Sequence, residues 1–154
     1  MIGNLVRLFN IYFNRKMLLM LMLGFASGMP FSLTGATLSA WMVTEKVDIR
    51  VIGIFSLVGL PYALKFLWSP LMDRFVPRFL GRRRGWMLIT QITLIVLIAA
   101  MGFFNPGSHL MMIAAIAVGV AFFSASQDIV LDAYRTEFLK PEERGAGSGI
   151  WIMG

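Results

Sequence analysis

The sequence predicts an all-α membrane protein, a bundle of long hydrophobic helices. Three observations predict it: the apolar content, the lengths of the apolar runs and the placement of the charges. Of 154 residues, 58% are hydrophobic and 14% charged, with a mean hydropathy of +0.76. A soluble domain carries about 25% charged residues over its core, so this apolar surplus needs lipid as its solvent. Four runs, about residues 17–43, 51–72, 86–104 and 110–134, match or exceed the roughly 20 residues that a helix needs to cross a bilayer. The net charge of +6 collects at the ends of those runs, as topology signals do. That placement argues against a phosphate-binding patch, so no nucleic-acid partner is expected. The chain has no Cys and a single His, His109. Disulfides and thiolate sites are excluded, and neither a metal site nor a cofactor is expected.

Residues 1–16 form a cytoplasmic or interfacial segment ahead of the bundle, which occupies residues 17–154. Leu5, Leu8, Phe9, Tyr12 and Phe13 are spaced as one helix face, with Arg7, Arg15 and Lys16 beside them, the pattern of a short helix on a membrane surface. A signal peptide fits poorly, because the first run is too long and has no small-residue cleavage site before Glu45. In the first span Gly24 and Gly28 make a small-xxx-small pair for close helix packing, and Pro30 permits a bend. Gly28 belongs either to that packing or to a substrate-facing hinge. The third span has one polar amide, Gln91, and is expected to support the bundle. A fifth span begins near residue 146 and stops at Gly154, which leads us to expect a fragment of a longer chain. Trp41, Trp68, Trp86 and Trp151 fall near span ends, as an aromatic belt does.

Eleven Lys and Arg lie on one side of this arrangement: Arg7, Arg15 and Lys16 at the N-terminus, five from Arg74 to Arg84, and Arg135, Lys140 and Arg144. Lys46 and Arg50 lie on the other. The positive-inside rule then places the N-terminus in the cytoplasm.

Two ionisable residues lie within spans, Lys65 in the second and Asp128 in the fourth. Such groups are costly in lipid and mark function by default. Each lies seven residues before the expected inner end of its helix, about 10 Å up at 1.5 Å per residue, so they are expected to share a depth and to pair. Asp132 lies one turn beyond Asp128 and Ser124 one turn before it; Gln127 adds an amide at a neighbouring angle. A carboxylate beside a movable cation suits a proton-coupled carrier, with Asp128, Lys65 and Asp132 as the coupling groups. Gln127, Ser124, Tyr62 and Gly28 are the candidates for contact with substrate. The alternative is a pair that only locks two helices, with Lys65 reaching towards headgroups and Asp132 capping its helix against Arg135. Tyr62, one turn from Lys65, either lines a cavity or packs.

Between the second and third spans stand Ser69-Pro-Leu-Met-Asp73-Arg74 and then Gly81-Arg82-Arg83-Arg84-Gly85. This resembles the major-facilitator signature of an acid, a basic residue, a turn glycine and a basic pair, with a longer spacer. The resemblance implies a conformational latch made by Asp73, Arg74, Gly81, Arg82 and Arg83, in which the acid accepts bonds at a helix N-terminus and the arginines brace cytoplasmic helix ends. Three further stretches, LGFASGMPFSLTGATLSAWM (residues 23–42), FSLVGLPYALKFLWSPLMDR (55–74) and SASQDIVLDA (124–133), with PEERGAG (141–147) after them, resemble the AmpG muropeptide permease family. That resemblance covers nearly the whole chain. It implies a major-facilitator-type bundle, of which this chain holds four transmembrane helices and the start of a fifth, in a bacterial inner membrane. It also implies proton-coupled import of anhydro-muropeptides, fragments carrying N-acetylglucosamine and anhydro-N-acetylmuramic acid, with the second half of the carrier as partner. The family's polar core positions fall on Lys65, Gln127, Asp128 and Asp132.

A related carrier of another bulky solute, such as an acyl-CoA, shares features like SASQD. A non-transporting membrane fragment is the other alternative. An intramembrane aspartyl protease is disfavoured, because its two carboxylates must converge on one water, whereas Asp128 and Asp132 stand on one helix.

Overall fold

The computed structural model describes Tyr12 and residues 14–75 and 81–154, without the side chain of Arg82. Leu5, Leu8, Phe9 and Phe13 of the expected surface helix lie outside the described residues. The described residues contain no strand. The protein is a multi-pass helical bundle: α1 (Arg15–Thr44), α2 (Ile49–Leu67), the short α3 (Ser69–Arg74), α4 (Arg82–Met101), α5 (Leu110–Phe138) and α6 (Arg144–Met153). Four of these, α1, α2, α4 and α5, are long and apolar enough to cross a membrane.

The prolines account for the irregular turns. Pro30 lies inside α1, and three residues later the helix widens into a π-helical stretch, Leu33–Thr37. The side chain of Thr34 turns back along the helix, its Oγ1 donating to the carbonyls of Pro30 (2.9 Å) and Phe31 (3.3 Å). Such π-turns are frequent at functional sites. In α2, Pro61 cannot donate to the Leu57 carbonyl four residues earlier. Leu60 N–H bonds that carbonyl instead, closing a 3-10 turn over Ser56–Gly59. A second 3-10 turn, Lys65–Leu67, precedes Pro70 and ends α2 before α3. The second apolar run of the sequence is therefore two helices with a break at Trp68. Gly81 stands just before α4 at φ +81°, a left-handed conformation that glycine adopts without strain.

α5 is the most deeply buried span and α2 the least. Ala117, Val120 and Ala121 of α5 are fully buried against Leu94 and Met101 of α4, Leu38 and Met42 of α1 and Val58 of α2. Gly119 of α5 lies in van der Waals reach of Leu97. Small side chains let membrane helices approach and gain dispersion contacts where no hydrophobic drive exists. A second cluster joins the start of α1 (Met17, Met20), the end of α5 and Leu139, with Ile150 and Trp151 of α6 packed on it. Apolar residues such as Phe25, Ile92, Ile95 and Val96 face outward, as a lipid-facing surface requires.

Two of the tryptophans at the expected span ends also make contacts between helices. Trp68 Nε1 donates to Ser126 Oγ on α5 at 3.0 Å, with its ring against Phe122. Trp151 lies on α1, its backbone filling the place that a Cβ at Gly24 would take. The small-xxx-small pair thus divides: Gly24 is the close approach to α6, whereas a Cβ at Gly28 would meet nothing within 4 Å.

Candidate functional site

α1, α2 and α5 meet along a polar seam. Its centre is Asp128 of α5, whose Oδ1 accepts a hydrogen bond from Ser27 Oγ of α1. A hydroxyl both donates and accepts, so Ser27 can satisfy this carboxyl group in either protonation state. Both residues line a cavity of about 470 Å³, together with Gly28, Phe31, Tyr62 and Trp151. Tyr62 also lines a second cavity of about 360 Å³ with Thr34, Ser39 and Ser56. Its ring meets Phe31 edge-on at 5.1 Å, and the two rings stand between the cavities. The Tyr62 hydroxyl is buried and makes no hydrogen bond, with Ser124, Thr34 and Asp128 as the polar groups around it.

The expected Lys65–Asp128 pair is not formed. Lys65 Nζ lies instead 4.0 Å from Asp132 Oδ2, while Asp132 Oδ1 accepts from Arg135 Nη2 at 3.1 Å. The equal-depth count assumed two regular helices. α2 contains 3-10 turns, which rise about 2.0 Å per residue rather than 1.5 Å, and α5 runs to Phe138, one turn past residue 134. Both changes move the register, and Asp132 becomes the partner. Lys65 and Asp132 line a third cavity, of about 300 Å³, with Phe66, Ser69 and Ile129.

Gln127 is also placed differently from expectation. It is 2% exposed, and its Nε2 donates to Gln91 Oε1 of α4 at 3.0 Å. It thus faces the α4–α5 seam and not the cavities, because one residue of helix turns a side chain about 100° from Asp128. Its own Oε1 is buried without a partner. Ser124 is 1% exposed, beneath Tyr62.

At the α3–α4 junction Arg83 Nη1 bonds Asp73 Oδ1 at 2.9 Å, and its Nη2 and Nε reach Glu137 Oε1 of α5 at 2.9 and 3.1 Å. One guanidinium therefore ties three helices, with Gly81 supplying the turn before it. Arg74 closes α3. Arg82 begins α4, but its side chain lies outside the described residues. Glu137 and Ser27 went unrecognised as site residues: each acts on a partner far along the chain, 54 and 101 residues away, and no local spacing marks them. Gln91 was legible as the lone amide of its span, though not as a partner of Gln127. Among the described residues, no group of three His, Cys, Asp or Glu could hold a metal ion.

The family model described as acetyl-coenzyme A transporter 1 matches residues 16–118. The chain belongs to this family. It is 61% identical over 136 residues to the anhydromuropeptide permease of Escherichia coli, a match covering 88% of the chain and 28% of that relative. An uncharacterized protein of Haemophilus influenzae is 49% identical over 91% of the chain and 33% of its own length. A Rickettsia bellii protein named as transporter AmpG 1 is 34% identical, over 92% of the chain and 35% of its own length. The chain thus spans about a third of the length of these relatives. The family match ends within α5, before the Ser124–Asp132 face, whereas the E. coli relative matches most of the chain.

Proposed function

We propose that the chain is the N-terminal part of a proton-coupled carrier that brings anhydro-muropeptides from the periplasm to the cytoplasm across a bacterial inner membrane. The observation that carries this reading is the 61% identity to a protein named anhydromuropeptide permease. The extent of the relatives beyond the matched region supports a missing second half, since substrate sites in such carriers form between two repeats. Asp128 supports the proton role: it is an acid within a span, facing a cavity, and its hydrogen-bond partner is a neutral hydroxyl. The Asp73–Arg83–Glu137 tie is the latch that holds the cytoplasmic ends of α3, α4 and α5 together. No catalysis is proposed, since Asp128 and Asp132 stand a turn apart on one helix and Asp132 is held by Arg135.

The experiment replaces the matching segment of the E. coli permease with this chain, and measures uptake of labelled anhydro-muropeptide into vesicles with and without an inward proton gradient. Gradient-driven accumulation that excess acetyl-coenzyme A does not inhibit is expected. Uptake of labelled acetyl-coenzyme A, with no muropeptide uptake, would favour the carrier named in the family description. The excess of Lys and Arg at the N-terminus and in the loops after the second and fourth spans supports a cytoplasmic N-terminus. A cysteine at Asn105 should therefore label from the periplasm and one at Arg82 should not, and the reverse pattern overturns that orientation.

A further inference from the structure

Lys65 stands out in the seam for what it lacks. A lysine ammonium carries three N–H donors and a full charge, and an uncompensated charge within a membrane span is costly. Its nearest carboxylate oxygen, on Asp132, is 4.0 Å away, beyond hydrogen-bond range. Asp132 is already committed to Arg135 at 3.1 Å. Lys65 and Arg135 thus share the Asp132 carboxylate, and the next carboxyl group acting on Lys65, Asp128, is already bonded by Ser27. Arg135 is further held over the Trp151 ring at 5.3 Å, whereas Lys65 has no carboxylate within hydrogen-bond range among the described residues. Its side chain is 37% exposed and opens on the third cavity, beside the Ser69 side chain.

We propose that Lys65 is an anion anchor, which takes a carboxylate of the transported solute in the cavity between α2 and α5. An incoming carboxylate would receive the donors of Lys65 without displacing Arg135 from Asp132, so Lys65 would gain a direct partner from substrate rather than by rearrangement. A peptide-bearing muropeptide supplies such a group at its C-terminus, and a neutral or amidated analogue does not. Lys65 would therefore set specificity for acidic solutes over their neutral or amidated analogues. This rests on the transport reading above. A phospholipid headgroup has the same anionic chemistry, and the test separates the two sources.

The test uses the full-length carrier containing this chain and two probes: an anhydro-muropeptide with free peptide carboxylates, and the same compound with those carboxylates amidated. The unmodified carrier should show a KM about tenfold or more lower for the acid than for the amide, the size expected of one charge-assisted hydrogen bond. In Lys65→Gln the ratio of the two KM values should fall close to one, whatever the loss in absolute rate. Lys65→Arg should keep a preference for the acid, and decides the matter if the Gln variant fails to insert. Equal handling of the two probes by the unmodified carrier overturns the anchor, as does an unchanged ratio in Lys65→Gln. Either result would leave Lys65 to a lipid phosphate or to helix pairing. If the unmodified carrier takes up neither probe, the transport reading itself has failed, an outcome distinct from loss of discrimination.

Discussion

Ser27 and Asp128 are 101 residues apart in sequence and joined by a direct side-chain hydrogen bond between α1 and α5. The bond ties the cavity-facing side of α1, just before Pro30, to the most buried helix of the bundle. A change in the protonation of Asp128 is therefore felt by a helix that already contains a proline and a π-turn. Such an element can bend in response.

In the full-length carrier, Asp128→Asn should abolish gradient-driven accumulation while substrate exchange without a gradient persists. The amide still fits beside Ser27 but cannot take up and release a proton. Counterflow and accumulation measured on the same vesicles decide this, and undiminished accumulation returns Asp128 to a purely structural role.

Gly24 and Gly28 should part company when replaced. Gly24→Ala forces a methyl group against the Trp151 backbone, so a loss of about 1–3 kcal/mol is expected from overpacking, because a backbone neighbour cannot rotate aside. Gly28→Ala has open space around it and should leave the thermal midpoint in detergent within a few degrees of the parent. Similar losses from both variants would show that α6 does not sit on Gly24.

The two glutamines at the α4–α5 seam offer a coupling test. Gln127→Leu removes the hydrogen bond to Gln91, itself an exposed residue, and should cost about 0.5–1.5 kcal/mol. Changing both residues to Leu should recover most of that, because no orphaned amide remains. A double-mutant cycle on the unfolding midpoint reads the coupling, and strict additivity would mean that the pair is not formed.

At the α5–α6 turn, Glu143 is held below its ordinary carboxylate value of 4.5, first by the hydrogen bond from Lys16 and then by the backbone N–H of Lys140. A lowered folded-state value stabilises the contact above the unfolded value, and that stabilisation is lost as pH falls through the folded one. The tie between the start of α1 and this turn should thus be intact at neutral pH and weaken below pH 4.5. Cross-linking of cysteines placed beside Lys16 and Glu143 should fall over that range. Glu143→Gln should be weakly cross-linked at every pH, and a parent-like pH dependence in it would refute the assignment.

Much of this protein is determined by hydrophobic period and length. The four membrane-capable helices follow directly from runs of apolar residues, since a backbone in lipid has to close its hydrogen bonds within its own segment. The breaks in α2 were also available in the sequence, at Pro61 and Pro70, because a missing N–H acts on its own preceding turn. The polar residues of interest, Lys65, Asp128, Asp132 and Gln127, were recognisable by the cost of burying them. Their partners were not. Whether Lys65 reaches Asp128 or Asp132 depends on small changes in helical rise and on where α5 ends. Whether Gln127 faces a cavity or Gln91 depends on how α5 is rotated against α4. Ser27 and Glu137 gained their roles only when distant helices packed. Local backbone chemistry sets each helix, but register and rotation between helices are collective results of packing along their whole lengths, and the tertiary structure alone decides them.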